Sequence, residues 1–258
     1  MKGLRLCLLL SLVVVGSLSA QNGSKQVSLK DITDGKFRQV SAIGDMRSMP
    51  DGEHYTAMNS ERSMIIKYSY RTGNPVDTLF NAKTARECTF KDFEGYMISS
   101  TGHRILVWRD SEPIYRRSSK AVIYDYDVRR NFVKPLTESA SKQMIPTFSP
   151  DGRMCAYVRD NNIWIKKFDF DTETQVTKDG EINKVLNGIT DWVYEEEFAF
   201  VKAYDWNATG TKIAYIKFDE TEVPEFSMDM YNQGLYPTQT VFKYPKAGEK
   251  NADVSLHI

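Results

Sequence analysis

Four turn glycines, Gly52, Gly102, Gly152 and Gly210, punctuate the chain at intervals of 50, 50 and 58 residues. A recurrence of that size constrains the fold more than any other feature, because it calls for one supersecondary unit repeated along the chain. The clearest copies read Pro146-Thr147-Phe148-Ser149-Pro150-Asp151-Gly152 before Met154 to Val158, and Tyr204-Asp205-Trp206-Asn207-Ala208-Thr209-Gly210 before Ile213 to Ile216. Fainter copies are Ser48-Met49-Pro50-Asp51-Gly52 before Tyr55 to Met58, and Ser99-Ser100-Thr101-Gly102 before Ile105 to Trp108. Proline presets φ early in a tight turn, Asp or Thr bonds the local backbone, and glycine accepts the positive φ that closes it.

The segments after each turn are rich in Val, Ile, Tyr and Trp and read as strands of a hairpin. A third strand is expected at Met64–Tyr70, Ala121–Tyr126, Ile163–Phe168 and Thr238–Tyr244. A short fourth is expected at Val76–Phe80, Phe132–Leu136, Thr174–Thr177 and Val254–Ile258. Four strands per unit of about fifty residues form one β-propeller blade. The fold class is therefore all-β, with about four four-stranded blades.

Residues 1–20 stand outside this pattern. Lys2 and Arg5 precede an apolar run from Leu6 to Val15, then Gly16-Ser17-Leu18-Ser19-Ala20 and a polar stretch. A basic start, an apolar run too short to span a bilayer and small residues at its end predict a secretory signal peptide cleaved near Ala20. Residues 21–258 are then the propeller portion of an exported protein, periplasmic, on the cell surface or extracellular, with no membrane span after cleavage.

Charge excludes another class of partner. The 34 basic and 34 acidic residues balance, and losing Lys2 and Arg5 leaves 32 against 34, so no basic surplus exists for a nucleic acid. Cleavage also removes Cys7, leaving Cys88 and Cys155 either to pair or to stay buried as small apolar residues. Neither Cys-x-x-Cys nor His-Glu-x-x-His occurs, and His54, His103 and His257 lie far apart, so no metal and no cofactor is expected.

The third interval is 8 residues longer than the others, and its excess falls at Asn187-Gly188-Ile189-Thr190-Asp191-Trp192-Val193-Tyr194-Glu195-Glu196-Glu197-Phe198. Asp191 suits an N-cap and carboxylates suit the first turns, so a short helical insertion is predicted here. Trp192, Tyr194, Phe198 and Phe200 must pack against something, which requires at least one carboxylate to be held at a cleft.

This acidic stretch resembles the motif of the dipeptidyl peptidase IV family, serine peptidases of the prolyl oligopeptidase superfamily with an N-terminal propeller and a C-terminal α/β-hydrolase domain. Phe218-Asp219-Glu220-Thr221-Glu222-Val223-Pro224 and Tyr244-Pro245-Lys246-Ala247-Gly248 continue the resemblance, which covers nearly all of residues 21–258. It implies that paired glutamates bind the α-amino group of a peptide substrate, so that Xaa-Pro dipeptides leave from its N-terminus. By motif position the pair is Glu196 and Glu197, with Glu195 the outlier unless the register slips by one. The resemblance also implies an arginine holding the peptide carbonyl, matched by Arg116 in Tyr115-Arg116-Arg117-Ser118, with Arg117 the alternative.

The same resemblance implies an eight-bladed ring, of which four units are half, and a homodimer contacted through Val223–Gly248. Its nucleophile belongs in a Gly-x-Ser-x-Gly elbow, and none occurs in these residues. No catalytic residue is therefore assigned, and this segment alone is expected to be inactive. The competing expectation is a non-enzymatic exported propeller that uses the acidic helix to bind a cationic partner.

Overall fold

The computed structural model describes residues 27–38, 45–231 and 234–258. The expected signal peptide and Cys7 lie outside the described residues. The chain divides into two compact units, Met1–Ile43 and Gly44–Ile258. In the first, helix α1 (Leu29–Thr33) is started by a capping box, in which Ser28 accepts from the Asp31 N–H and Asp31 from the Ser28 N–H.

The second unit carries the repeats as four antiparallel sheets. The first holds β1 (Arg47–Ser48), β2 (His54–Met58), β3 (Met64–Ser69) and β4 (Pro75–Asn81). The second holds β5 (Gly95–Ile98), β6 (Arg104–Pro113), β7 (Ser119–Asp127) and β8 (Phe132–Pro135). The third holds β9 (Met144–Phe148), β10 (Met154–Arg159), β11 (Asn162–Lys167) and β12 (Thr172–Gln175). In each, sequential strands are spatial neighbours, as in a blade.

All four turn glycines have positive φ, between 67° and 70°. Each donates its N–H three residues back, to Met49, Ser99, Ser149 or Asn207, at 2.8 to 3.1 Å. Two of them also fit a neighbouring turn. A Cβ on Gly152 would sit 3.1 Å from Ser99 Cβ, and one on Gly210 would sit 3.3 Å from Pro150 Cδ. The turns of successive blades therefore stack, and Ser100 Oγ donates to the Pro150 carbonyl at 2.6 Å.

Alternation along the second strands builds the core. On β6, Ile105 and Val107 join Ile65 and Phe80 of the first blade, whereas Leu106 packs with Cys155 and Tyr157 of the third. On β10, Ala156 and Val158 face the other way, toward Tyr204, Ile213 and Phe218 of the fourth. These strands are buried on both faces, so they read as continuous apolar runs, and each fully buried Leu or Ile contributes roughly 1.5–3 kcal/mol. Cys88 and Cys155 are free thiols, and Cys155 is buried in this core.

The fourth sheet departs from the expected order. It holds β13 (Val185–Asn187), β14 (Tyr204–Trp206) and β15 (Ile213–Asp219), and both β13 and β14 pair with β15. Between β13 and β14 the chain leaves the sheet to form helix α2 (Trp192–Phe198). After β15 it leaves again as a separate hairpin of β16 (Glu225–Met230) and β17 (Thr238–Lys243), before β18 (Asp253–His257) returns to pair with β15. Thr238–Tyr244 is thus not the third strand of the fourth unit. It belongs to an exposed arm, and the Val254–Ile258 segment, expected as the last strand, takes the third place. Strand propensity and turn chemistry are the same in an arm as in a blade, so only long-range pairing separates the two. Among the described residues no helix is long and apolar enough to cross a membrane.

Candidate functional site

The predicted acidic helix forms where its N-cap requires. Asp191 is extended (φ −75°, ψ 178°) and its side chain accepts from the Tyr194 N–H at 2.9 Å. Burial raises the Asp191 carboxyl pKa while that N–H opposes the shift. The excursion closes at its base, where Thr190 N–H donates to the Val201 carbonyl and Ala203 N–H to the Gly188 carbonyl. Gly188 has φ +76° and a Cβ there would lie 3.0 Å from Ile163, so the chain turns out of the sheet at a residue that only glycine suits.

Aromatic packing fixes the rotation of α2. Trp192 meets Tyr244 of the arm base with ring centroids 4.6 Å apart, and Tyr194 meets Phe218 of β15 at 4.9 Å. Successive helical residues are rotated by about 100°, so three consecutive glutamates must point three ways. Glu195 turns inward and is 0% exposed. Glu196 lies at the rim, 14% exposed, and Glu197 is exposed.

The partner loop comes from the second blade. β6 and β7, of 10 and 9 residues, are the longest strands described, and their pairing runs past a register shift to Pro113↔Ser119. The turn closes through Ile114 N–H to the Ser118 carbonyl at 2.8 Å, which puts Tyr115, Arg116 and Arg117 at the tip. Lys142 braces the stem, donating to the Asp110 carbonyl and to Glu112, each at 2.6 Å.

Loop and helix meet directly. Arg116 Nε lies 3.1 Å from Glu196 Oε2, with the guanidinium side chain 71% exposed. The N–H groups of Arg117 and Ser118 both donate to Glu195 Oε1, at 2.6 and 2.9 Å. Arg116 and Glu196 are therefore brought together, and Glu197 sits one helical step farther round. Arg117 contributes its backbone to this junction. Its side chain makes no ion pair among the described residues.

Glu195, the outlier by motif position, has a role that sequence reasoning did not assign: its buried bonds cross from the second blade to the fourth. Its signal was present: Glu195 lies four residues after the N-cap, one turn along the face by which α2 meets the protein. Glu220 and Tyr115 were also missed. Both line a cavity of about 590 Å³ with Ser118, Met144, Ile189 and Phe242. Burial, then the nearby Asp191, raises the Glu220 carboxyl to about 7 against the opposing Lys243. Burial, then Glu220, Glu195 and Asp191, pushes the Tyr115 hydroxyl above its ordinary range. Among the described residues no cluster of three His, Cys, Asp or Glu side chains could hold a metal ion.

Comparison with known proteins agrees with this architecture. The family model for the dipeptidyl peptidase IV (DPP IV) N-terminal region matches residues 99–258. Prolyl endopeptidase FAP of Homo sapiens is 32% identical over 241 residues, covering 93% of this chain and 31% of that protein. Dipeptidyl peptidase 4 of Felis catus is 32% identical over 204 residues, covering 74% of this chain and 26% of the relative. The crystal structure of Porphyromonas gingivalis dipeptidyl peptidase 4 superposes with a TM-score of 0.85 at 60% identity, over 91% of this chain and 33% of that one. The chain spans about a third or less of the length of these relatives.

Proposed function

This chain belongs to the dipeptidyl peptidase IV family through its N-terminal region, and from that membership we propose that it is the substrate-selecting propeller portion of an exported serine dipeptidyl peptidase. In this reading residues 1–20 are a signal peptide and residues 21–258 form the first blades of the propeller. The whole protein releases Xaa-Pro dipeptides from peptide N-termini and acts as a homodimer, and the nucleophile is supplied outside these residues.

The observation that carries the reading is the approach of Arg116 to Glu196 across 80 residues of sequence. Glu196 and Glu197 bind the substrate α-amino group and Arg116 holds the peptide carbonyl. An α-amino group has an ordinary pKa near 8, so it is mostly cationic at neutral pH. One carboxylate about 4 Å from it is worth on the order of 4 kcal/mol at an effective dielectric near 20, before desolvation. The pair that Glu196 makes at the rim with the solvent-facing Arg116 is worth about 1 kcal/mol or less, so an arriving ammonium competes for that carboxylate at small cost. Once the N-terminus is fixed, the second peptide bond is set at a constant distance from the anchor, which makes the clamp a ruler.

The test is steady-state kinetics of the complete protein on a chromogenic Xaa-Pro substrate with a free amine, alongside its N-acetylated counterpart. Glu196→Gln and Glu197→Gln are each expected to lower kcat/KM by at least about 100-fold, with labelling of the serine by a small fluorophosphonate unchanged. Unaltered kinetics in both variants, or equal turnover of the acetylated substrate by the unmodified protein, would overturn the assignment.

A further inference from the structure

We propose that Glu195 is a positioning residue, which sets the Arg116 loop against the acidic helix without touching the substrate. The inference rests on the dipeptidase reading above and deepens it, giving the three glutamates two different tasks.

Three observations converge. Glu195 is 0% exposed, so it is closed to any ligand that Glu196 and Glu197 can reach. Its Oε1 accepts both the Arg117 and Ser118 N–H groups, which immediately follow Arg116. Its helix neighbour Glu196 is the group that Arg116 faces at 3.1 Å. Loop and helix are therefore joined at two adjacent points, one buried and made to backbone, the other at the rim and made to the solvent-facing Arg116 side chain. The buried one ties two successive backbone N–H groups to a single carboxylate oxygen. It fixes the returning side of the turn, directly after Arg116, and hence where the Arg116 Cα stands relative to Glu196.

The chemistry of the pin is costly for stability alone. Glu195 makes no ion pair among the described residues, and its Oε2 has no hydrogen-bond partner there. An unpaired buried carboxylate with one oxygen unsatisfied is destabilising relative to a well-packed apolar residue. A carboxylate does, however, present one oxygen that accepts two converging N–H groups in strong bonds, which no apolar residue can do. Such a feature is expected where geometry matters more than stability.

Hydrogen-bond acceptance and charge separate cleanly by substitution. Glu195→Gln keeps an acceptor oxygen in place and removes the charge, whereas Glu195→Ala removes both. In the complete protein, Glu195→Ala is expected to raise KM for a free-amine Xaa-Pro substrate about 10- to 100-fold with a smaller change in kcat, and Glu195→Gln to stay within about threefold of the unmodified protein. Adding Arg116→Ala to Glu195→Ala should cause little further loss, because the first change already acts through that arginine. Arg117→Pro deletes one donor from the opposite side and should reproduce the raised KM, which keeps the test open if Glu195→Ala fails to fold. Fluorophosphonate labelling of the serine reports that each variant is folded.

A Glu195→Gln variant as impaired as Glu195→Ala would show that the charge acts directly and overturn the proposal. Full additivity with Arg116→Ala in labelled, folded protein would overturn it too. If Glu196→Gln is impaired while Glu195→Ala is normal, only the positioning role fails; if Glu196→Gln and Glu197→Gln are silent, the dipeptidase reading itself fails.

Discussion

The third and fourth blades grow from the same repeat, and they differ in what the repeat is asked to hold. The third blade runs β9 to β12 in order, with both faces of β10 buried against its neighbours. The fourth is interrupted twice, by α2 between β13 and β14, which both pair with β15, and by the β16–β17 arm before β18 returns. The uninterrupted blade supplies rigidity, and the interrupted one supplies the residues assigned to binding. A β-sheet presents side chains at a period of two on faces already committed to packing, so groups meant to converge on a ligand are better hung from excursions. The second blade contributes in the same manner, by an overlong hairpin.

Substitutions can sharpen that contrast. The largest effect is expected in the third blade: Tyr157→Ala empties a fully buried ring position between two sheets and should cost about 3–5 kcal/mol, read by urea denaturation. The arm offers the counter-case, since Tyr236 is 85% exposed and Tyr236→Ala should change stability by less than about 0.5 kcal/mol. Equal losses would mean that the arm is as much a part of the core as the blades.

Next comes a pH effect of opposite sign in the two blades. Glu220, at the root of the arm, has a folded pKa raised to about 7. The folded state therefore binds more protons than the unfolded chain between its ordinary value and 7, and stability falls as pH rises through that window. Glu220→Gln should be more stable than the unmodified protein at pH 8, on the order of 2 kcal/mol, and the advantage should vanish near pH 4.5. In the third blade Asp171 is held low by Lys134, then Lys166. Its contribution is present above the ordinary aspartate range and is lost as pH falls through the lowered value. A Glu220→Gln profile parallel to that of the unmodified protein at every pH would remove this distinction.

The smallest effect separates two turns of the same geometry. Gly52 and Gly152 share φ near +70°, but a Cβ on Gly52 meets nothing within 4 Å, whereas one on Gly152 presses on Ser99. Gly52→Ala should cost about 1 kcal/mol from backbone conformation alone, and Gly152→Ala somewhat more because the neighbouring turn must yield. Identical midpoints in chemical denaturation would show that the stacked turns give way freely.

Much of the propeller was legible because its signals are local. A turn glycine reports itself through the three residues before it, and each strand through its own composition. The arm was misread because the 58-residue interval ends at Gly210 and records nothing beyond it, and Thr238–Tyr244 has the composition of any strand. At the candidate site, residue types pointed only to an acidic helix at a cleft; the family resemblance singled out Glu196, Glu197 and Arg116, and the structure brings the first and last together. Motif position leaves Glu195 as the outlier, and its inward role is not legible from that position because adjacent glutamates differ only in helix phase.

The sequence by itself determined the repeat, the turns, the place of the helix and the acidic character of the insertion, all of which depend on contacts within a few residues. Only the tertiary structure decided which glutamate faces inward, that Arg117 and Ser118 supply backbone donors to it, and which strand completes the fourth sheet. Those outcomes depend on the rotation of α2, set by Trp192 against the arm and Tyr194 against β15, and on a hydrogen bond between residues 78 apart. Helix phase and long-range pairing are settled by packing, which no local pattern encodes.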